Sequence, residues 1–523
     1  MQHKIPPRLL AVAIVLSVLR PSALSAADWL QFGVDAAHDG YNRAEKGYST
    51  ADGNRLAFPA AALPLPADVA PVFLENVATP VGTRNLLFVV SRNGTALALN
   101  AADGALIWSN KPTPAATLTT SAAAIDPQRQ HVYAYGLDGK VHKYKAGDGT
   151  EVLEAGWPQI VTLKPDVDKV ASGLTVATAA DSATYLFAVT NSFSDIGDYQ
   201  GSLTAINLGT GEQKVFNAQC SDLAMHFVRN GITSGAGQND CVQIASPKPG
   251  QSANSGIWGR PGAVYSAATD RVYVATGNGV FDPNNDLHNG RDWGDSVLAL
   301  HPDGSGAGAG MPVDSYTPAT SPALLQNDAD LGSTSPAILP APAGSKVAHL
   351  ALQGGKDACV RLLDLDNLSG AGPGHVGGEL QALALPNAVD RCGNGDSANN
   401  FLTQPAVWVN PRDGSTWTFI AHGAGIVAYR VGVDDDGNPS LTTQWSSPDG
   451  GTSPVIANGT VYYASSHVLR GLDATTGQLI WSDNRIGNVH WQSPIVVDGR
   501  IYFIDQSSKL WVYALDGIFR DSQ

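Results

Sequence analysis

Cysteine is scarce in this sequence, with 4 residues in 523. None of them forms a CxxC or CxxCH element, so the chain lacks the spacing that holds structural zinc or attaches haem covalently. An even number of cysteines is typical of disulfides when the compartment is oxidising. Among the possible pairings, we favour Cys220–Cys241 and Cys359–Cys392.

Long hydrophobic runs are missing beyond the first few residues. Lys4 and Arg8 precede an apolar run over 9–16, and small residues follow at 23–26. This order is typical of a secretory signal peptide, which we predict over residues 1–26. No later stretch approaches the roughly 20 apolar residues of a membrane span, and no cysteine after the predicted cleavage site indicates a lipid anchor. We therefore expect a periplasmic or secreted protein.

Positive charge is in the minority. The chain carries 32 Lys and Arg against 47 Asp and Glu, a formal net charge of −15. Because such a surface repels phosphate backbones, we expect no nucleic-acid partner. The charge favours dispersal in solution but selects no particular ligand.

Several common catalytic motifs are also absent. The sequence contains no Gly-x-Ser-x-Gly elbow, no His-Glu-x-x-His zinc helix and no Gly-x-x-x-x-Gly-Lys-Ser/Thr loop. The usual hydrolase and nucleotide-dependent functions therefore have no support in the sequence.

What the sequence does contain is an internal repeat. Residues 98–108 (ALNAADGALIW) and residues 471–481 (GLDATTGQLIW) are copies of one unit, and weaker copies fill the space between them. Each copy alternates apolar and polar residues and is divided by turns, as Asp138-Gly139 divides one hairpin. This pattern predicts four short strands in each unit.

Eight units can be counted. They begin near Thr79, Ser121, Ser172, Gly262, Ser335, Gln404, Ser453 and Ser493. The last unit ends near residue 517 without an outer strand, and we expect the segment around Arg55 to supply it. The predicted fold is all-β: a single eight-bladed β-propeller of four-stranded antiparallel blades over residues 27–523, closed by an N-terminal strand. Trp108 and Trp481, at the ends of their units, should pack between neighbouring blades rather than contact a ligand.

The fourth unit is longer than its neighbours and carries a specific pattern. It reads Trp258-Gly259, then Tyr273-Val-Ala-Thr-Gly-Asn278, a polar insertion, and Gly294-Asp-Ser-Val-Leu-Ala-Leu300. This order resembles the corresponding blade of the alcohol and polyvinyl-alcohol dehydrogenases that depend on pyrroloquinoline quinone (PQQ). The resemblance implies that Trp258 forms the floor under the quinone and that Asn278 ligates calcium.

The resemblance extends to two further units. Gly354-Gly355-Lys356-Asp357 precedes a strand in the fifth unit, which implies that Asp357 is the catalytic base and a calcium ligand. In the third unit, Asp195 is the nearest match to the family's carboxylate ligand. Lys356 and Arg361 are positive charges available to the carboxylates of the cofactor.

The pattern departs from the family in three respects. The chain has no adjacent cysteine pair to cover the second face of the quinone, it has no haem domain, and the usual Glu ligand is at best an Asp. The candidate residues also have ordinary structural roles open to them. Asn278 fits a left-handed turn, Asp357 fits a strand end beside Lys356, and Trp258 fits blade packing.

Two functions are therefore left open. The first is a PQQ- and calcium-dependent dehydrogenase of small alcohols or sugar-like substrates. The second is a non-catalytic propeller that binds a polysaccharide, a peptide or an envelope protein. Convergence of Asp195, Trp258, Asn278 and Asp357 on one funnel would favour the enzyme, and the pair His490-Trp491 is a further candidate for the same funnel.

Overall fold

The computed structural model describes residues 28–45, 47, 55–57, 60–112, 118–223, 245–287, 290–388, 392 and 401–515. The predicted signal peptide lies outside the described residues, and so does Cys241. Within the described residues, no helix has the length and apolar character needed to cross a bilayer.

The repeats fold into antiparallel hairpins because their turn residues allow tight reversals. Strand His131–Tyr135 pairs antiparallel with Lys140–Lys145, and Gly139 in the turn between them has a φ of 83°. A side chain there would also meet the carbonyl oxygen of Thr162, since a Cβ would lie 2.4 Å from it. Glycine is therefore required at this turn by backbone conformation and by space.

The strands form eight antiparallel sheets, or blades, in chain order. The first strands are Val72–Thr79, Ala124–Ile125, Thr175–Thr178, Val264–Ser266, Ala337–Pro340, Ala406–Val409, Val455–Ala457 and Ile495–Val497. The second strands are Gly82–Val90, His131–Tyr135, Thr184–Ser192, Arg271–Ala275, His349–Gln353, Thr416–His422, Thr460–Ser465 and Arg500–Ile504. The third strands are Ala96–Asn100, Lys140–Lys145, Ser202–Asn207, Val297–Leu300, Cys359–Asp364, Gly425–Val433, Val468–Asp473 and Lys509–Ala514. The outer strands of blades 1 to 7 are Leu106–Asn110, Gln159–Ile160, Gln213–Asn217, Asp314–Tyr316, Gln381–Ala384, Pro439–Ser447 and Leu479–Asp483.

A few elements lie outside this pattern. Strand Asp168–Lys169 pairs with the end of the second strand of blade 3. Phe281–Asp282 and Asp292–Trp293 form a small hairpin inserted in blade 4. A short α-helix, Ser321–Asn327, and a 3₁₀ turn, Leu331–Ser333, connect blade 4 to blade 5.

The first strands of blades 2 and 3 contact each other, as do those of blades 5 and 6, 6 and 7, and 7 and 8. The first strands lie on the inner side of the ring. The molecule is therefore an eight-bladed β-propeller, as the repeats predict. The predicted start of the first unit at Thr79 is wrong, because Thr79 ends the innermost strand of blade 1, which begins at Val72.

The N-terminal segment 28–42 crosses the centre of the ring. Its backbone and side chains bond the innermost strands of blades 1, 2, 3, 6, 7 and 8 and the residues at the inner strand of blade 4. For example, Trp29 exchanges two backbone hydrogen bonds with Phe73 in blade 1, and Ile456 in blade 7 donates to the carbonyl of Gly40. One short segment, built largely of turns and bends, thus bonds blades that are far apart in sequence.

The eighth blade lacks an outer strand of its own among the C-terminal described residues. Strands Arg55–Leu56 and Ala61–Ala62 pair antiparallel with its third strand, Lys509–Ala514. The N-terminal region thus contacts the propeller at its centre and at the edge of the last blade.

The core consists of apolar side chains packed between adjacent blades. Trp108 and Trp481 are buried there, 8% and 7% exposed, which confirms the packing role predicted for them. The disulfide between Cys359 and Cys392 is also confirmed, with a Cα–Cα distance of 4.8 Å. It joins the third strand of blade 5 to the connection that leads to blade 6.

Candidate functional site

A cavity of about 420 Å³ opens at the face of the ring where the innermost strands begin. We call it cavity A. Its walls come from segments that precede the innermost strands of blades 2, 3, 4, 5 and 8, and from loops that follow the second strands of blades 3, 4 and 5. Its volume lies in the range of about 300–1,000 Å³ that is typical of small-molecule sites.

Cavity A brings together four of the residues predicted from the sequence. Asp195, Trp258, Asn278 and Lys356 all line it. The other two predicted residues do not. Asp357 and Arg361 are 1% and 2% exposed and form a buried ion pair with each other, beyond the lining of the cavity.

The Asn278 amide is oriented by two aspartates. Its backbone N–H donates to Asp330 Oδ1 at 2.6 Å, and its side-chain Nδ2 donates to Asp328 Oδ1 at 2.5 Å. The side-chain oxygen Oδ1 is buried and has no hydrogen-bond partner. A buried acceptor without a partner lowers the stability of the fold unless another group binds it. The side-chain oxygen of Asn278 is therefore available to a ligand.

Lys356 lies between the same two aspartates. Its ammonium group forms ion pairs with Asp330 Oδ2 and, at 3.3 Å, with Asp328 Oδ1. Burial lowers the pKa of Lys356, but the two carboxylates outweigh burial and raise it. The reverse holds for Asp330, whose pKa is raised because burial outweighs the attraction of Lys356. Cavity A therefore contains a buried place where a positive charge is held by carboxylates.

A third aspartate, Asp295, lies close to Asp330 and Lys356. Asp295 is fully buried, and its Oδ1 accepts the backbone N–H of Leu331 at 3.0 Å. Its Oδ2 is buried without a partner. Burial and the nearby Asp330 raise its pKa well above the usual value, which favours a neutral carboxyl at this position.

Asp195 approaches from blade 3 on a strained turn. Its φ is 56°, and its Oδ1 accepts a hydrogen bond from the hydroxyl of Ser192 at 2.9 Å. Over the described part of the chain, no group of three or more His, Cys, Asp or Glu side chains has the arrangement of a metal site. Asp328 and Asp330 face Lys356 instead, and Asp195 faces Ser192.

Aromatic rings form the floor of cavity A. Trp258 and Trp491 meet edge to face, with ring centroids 6.3 Å apart. Lys356 Nζ lies 5.2 Å from the centre of the Trp258 ring, within the range of a cation–π contact. Gly277 allows the backbone to approach the Trp258 ring closely, since a Cβ at this position would lie 3.0 Å from Trp258 Nε1.

Two cations line cavity A without a carboxylate partner among the described residues. Arg260 is 4% exposed, and its guanidinium donates to the backbone carbonyls of Thr120, Ala171 and Trp491 at 3.2–3.4 Å. Burial lowers its pKa to about 10. Burial and the neighbouring Arg260 lower the pKa of Lys169 to about 8. Because buried charges are normally paired, these two groups favour an anionic ligand.

His490 stands at the rim of the cavity. Its Nδ1 bonds Asp68 Oδ2 at 2.6 Å, while the backbone N–H of Trp491 donates to Asp68 Oδ1 at 3.0 Å. Burial raises the pKa of Asp68, but these bonds outweigh burial and lower it. The carboxylate thus fixes the orientation of both residues, and the pair predicted for the funnel does line it.

Sequence reasoning missed Asp328, Asp330, Lys169 and Arg260. A positional signal was available. Cavity A is built largely from residues that immediately precede an innermost strand, and Asp328-Ala-Asp330 precedes the fifth unit as Trp258-Gly-Arg260 precedes the fourth. Two carboxylates with one residue between them at such a position indicate a site.

Comparison with known proteins supports the resemblance. Residues 69–254 match a PQQ-type family model described as outer membrane protein assembly factor BamB. No curated protein sequence matches the chain. The match and the propeller fold confirm a PQQ-like β-propeller.

Similar solved structures cover almost the whole chain. The quinohemoprotein alcohol dehydrogenase of Comamonas testosteroni is 15% identical over 95% of this chain and 82% of its own, with a TM-score of 0.61. The quinohemoprotein alcohol dehydrogenase ADHIIG of Pseudomonas putida is 14% identical over 94% and 80%, with a TM-score of 0.59. A europium-containing methanol dehydrogenase is 13% identical over 94% and 99%, with a TM-score of 0.61. At these identities the likeness is one of fold.

Proposed function

We propose that this protein is an exported quinoprotein dehydrogenase that binds PQQ and a hard cation in cavity A and oxidises an alcohol or a sugar-like substrate. One observation carries the proposal: cavity A is lined by the ion pair of Asp330 and Lys356, an unpartnered amide oxygen, an indole ring and two cations without a carboxylate partner, and Asp328 contacts Lys356 from outside the lining. A metal, a flat quinone and its carboxylates need these three kinds of contact.

The acidic cluster offers oxygen donors of the kind that a hard cation binds, although the described His, Cys, Asp and Glu side chains alone do not form a metal site. Calcium takes 6–8 oxygen ligands from carboxylates, amide carbonyls and waters. Asp330 and Asp328 contact Asn278 through its backbone N–H and its Nδ2, and the Oδ1 of the same residue is buried without a partner. Lys356 already holds a positive charge against the two carboxylates, so a metal would compete with its ammonium group. Calcium is the first candidate, and europium is a second because one similar structure contains it.

The remaining residues fit a planar anion. Trp258 would supply a stacking face, while Lys169 and Arg260 would meet carboxylates of the cofactor with charge-assisted bonds. When bound, PQQ would supply the two-electron acceptor for the hydrogen of the alcohol carbon. We assign the proton of the alcohol hydroxyl to Asp330, in preference to Asp357, because Asp330 lines the cavity and its pKa is raised by burial.

Reconstitution tests the proposal. The mature protein is loaded with PQQ and either Ca²⁺ or Eu³⁺, and dye reduction is followed with a panel of primary alcohols, secondary alcohols and aldoses. We expect turnover with at least one class and its loss in Asp330→Asn. Asp292→Asn is the matched control, because Asp292 is a fully buried carboxylate of blade 4 outside the cavity. Absence of turnover under every metal and substrate, with PQQ bound, would exclude the dehydrogenase.

A second function has one observation in its favour. The family model that matches residues 69–254 is described by an assembly factor, and a propeller can bind a protein or polysaccharide without a cofactor. On this alternative, cavity A would bind an acidic group of a partner through Lys169 and Arg260. Failure of PQQ to bind would favour it.

A further inference from the structure

A second cavity adjoins cavity A and has a different chemistry. We call it cavity B. It has a volume of about 360 Å³ and shares Arg260, His490 and Trp491 with cavity A. Its other walls come from blades 6, 7 and 8, on the side of the ring away from the acidic cluster.

Cavity B has no carboxylate among the described residues that line it. Its ionisable imidazole, His422, is 3% exposed, and burial lowers its pKa to about 4. The ring is therefore neutral at ordinary pH. Its Nδ1 accepts the backbone N–H of Ala424 at 3.3 Å, which places the imidazole proton on Nε2 as a donor.

The hydroxyl groups of cavity B keep unused donors. Thr452 Oγ1 accepts the N–H of Ala464 at 3.1 Å, and Ser453 Oγ accepts the N–H of Gln404 at 2.9 Å. Each hydroxyl proton remains available, since a hydroxyl donates one bond and accepts two. Both side chains face the cavity from the segment that precedes blade 7.

A carboxamide adds an orphaned donor. Gln492 Oε1 accepts the N–H of His490 at 2.7 Å, while its Nε2 is buried without a hydrogen-bond partner. Arg260 lies between the two cavities. Its two terminal nitrogens donate to backbone carbonyls, its Nε is buried without a hydrogen-bond partner, and its guanidinium lies 5.0 Å from the Trp491 ring centre. The polar groups that belong to cavity B alone are therefore neutral, and the charged groups Arg260 and His490 are shared with cavity A.

We propose that cavity B is a binding subsite for a neutral, hydroxyl-rich molecule, such as an oligosaccharide or a polyol. Hydroxyl groups both donate and accept, and they match a wall of Thr and Ser hydroxyls, a neutral imidazole and a free carboxamide. Trp491 supplies an aromatic face for the C–H side of a ring or chain. An anionic ligand has no cation of its own in cavity B, because Arg260 is shared with cavity A, where we assign it to the carboxylates of the cofactor.

Cavity B would hold part of the substrate of the proposed dehydrogenase, and in that respect the subsite rests on the proposed function. A chain bound in cavity B passes Trp491 and His490 to reach cavity A, where one of its hydroxyl-bearing carbons would be oxidised. Binding itself needs no cofactor, so it is measured on the protein without PQQ.

Calorimetric titration with three probes tests the subsite: cellotetraose as a neutral ring chain, sorbitol as an open-chain polyol, and tetragalacturonate as an acidic counterpart. We expect cellotetraose or sorbitol to bind and tetragalacturonate to bind more weakly. The neutral probe that binds identifies the ring or the open-chain source. Failure of both neutral probes, or tighter binding of the uronate, would overturn the proposal.

Variants locate the binding. Ser493, which precedes the innermost strand of blade 8, also lines cavity B. His422→Phe and Ser493→Ala each remove a polar group of the cavity, and we expect each to weaken binding of the neutral probe, by about tenfold for the imidazole. Thr452→Val and Thr442→Val form a matched pair. The first removes a hydroxyl of cavity B and should weaken binding, whereas the second should not, because Thr442 is exposed on the outer strand of blade 6. Unchanged affinity in His422→Phe and Ser493→Ala, both with wild-type circular dichroism, would refute the assignment.

PQQ titration of the same samples separates the two proposals. Neutral-probe binding without PQQ binding would retain the subsite and remove the dehydrogenase. PQQ binding without neutral-probe binding would do the reverse.

Discussion

Replacing Lys356 by Met should destabilise the protein, because it removes the positive charge that faces Asp330 and Asp328 beside cavity A. Lys356 and Asp330 form an ion pair with side-chain exposures of 16% and 6%. Removing one partner of a buried pair typically costs about 3–5 kcal/mol, because the other charge is left uncompensated. We expect Lys356→Met to lose about that much free energy of unfolding at pH 7, measured by urea denaturation in the presence of EDTA.

The loss should depend on pH in a defined direction. Without Lys356, burial raises the pKa of Asp330 further above its unfolded value. A carboxyl with a raised folded pKa costs no stability when it is protonated in both states, and the cost grows as the pH rises from the unfolded to the folded pKa. The deficit of Lys356→Met should therefore shrink as the pH is lowered from 7 towards 4.

Lys248 provides a matched control for the same substitution. It pairs with Asp328 on the surface side of the cluster, and 46% of its side chain is exposed. Exposed pairs contribute about 0–1 kcal/mol, so Lys248→Met should change stability by no more than that. A loss below about 1 kcal/mol in Lys356→Met, or a loss that stays constant from pH 7 to 4, would refute the reasoning.

Three further predictions concern the scaffold. Reduction of the disulfide between Cys359 and Cys392 opens a loop of 33 residues, which should lower the free energy of unfolding by roughly 4 kcal/mol in urea titrations with and without reductant; an unchanged midpoint would contradict this. Trp29 is 1% exposed and packs against blades 1 and 8, so Trp29→Ala should lower the free energy of unfolding by about 3–5 kcal/mol. A melting temperature equal to that of the wild type would show that the central segment does not hold the ring. For His142, burial lowers the pKa but Asp138 and Glu151 outweigh it and raise it, so His142→Gln should be destabilising below the unfolded pKa of about 6.5 and lose that effect as the pH rises past the folded pKa. Differential scanning calorimetry across pH checks the sign.

The blades could be predicted because their signals are local. Each hairpin is specified by alternation and by a turn residue such as Gly139, and these patterns recur along the chain. The start of the first blade was misplaced because Val72–Thr79 continues into a turn at Pro80-Val81, so Thr79 lies at the end of a strand rather than at its beginning. The local pattern identifies a strand but not its place in the blade.

The central segment could not be predicted for the opposite reason. Residues 28–42 carry no strand periodicity, and their bonds reach blades that begin hundreds of residues later, such as that of Asn42 to Val496. Such contacts depend on the closed ring, which no local pattern encodes. The pairing of Arg55–Leu56 with the last blade could be expected, because the final unit has no outer strand of its own in the sequence.

Prediction of the site was uneven. Trp258 and Asn278 were found because their motif is contiguous, and both line cavity A. Asp328 and Asp330 were missed because they follow a short helix in a connection between blades, where no repeat pattern draws attention to them. Asp357 was selected by its position before a strand, and the structure pairs it with Arg361 instead of opening it to the cavity.

Calorimetric titration of PQQ into the mature protein tests the central claim most directly, with Ca²⁺, with Eu³⁺ and with EDTA. If cavity A holds the quinone together with a cation, binding will be tight with at least one metal, weak in EDTA, and lost in Asp330→Asn but not in Asp292→Asn. Binding that ignores the metal and Asp330, or no binding under any condition, would contradict the account and leave a propeller whose cavities serve a partner other than a quinone.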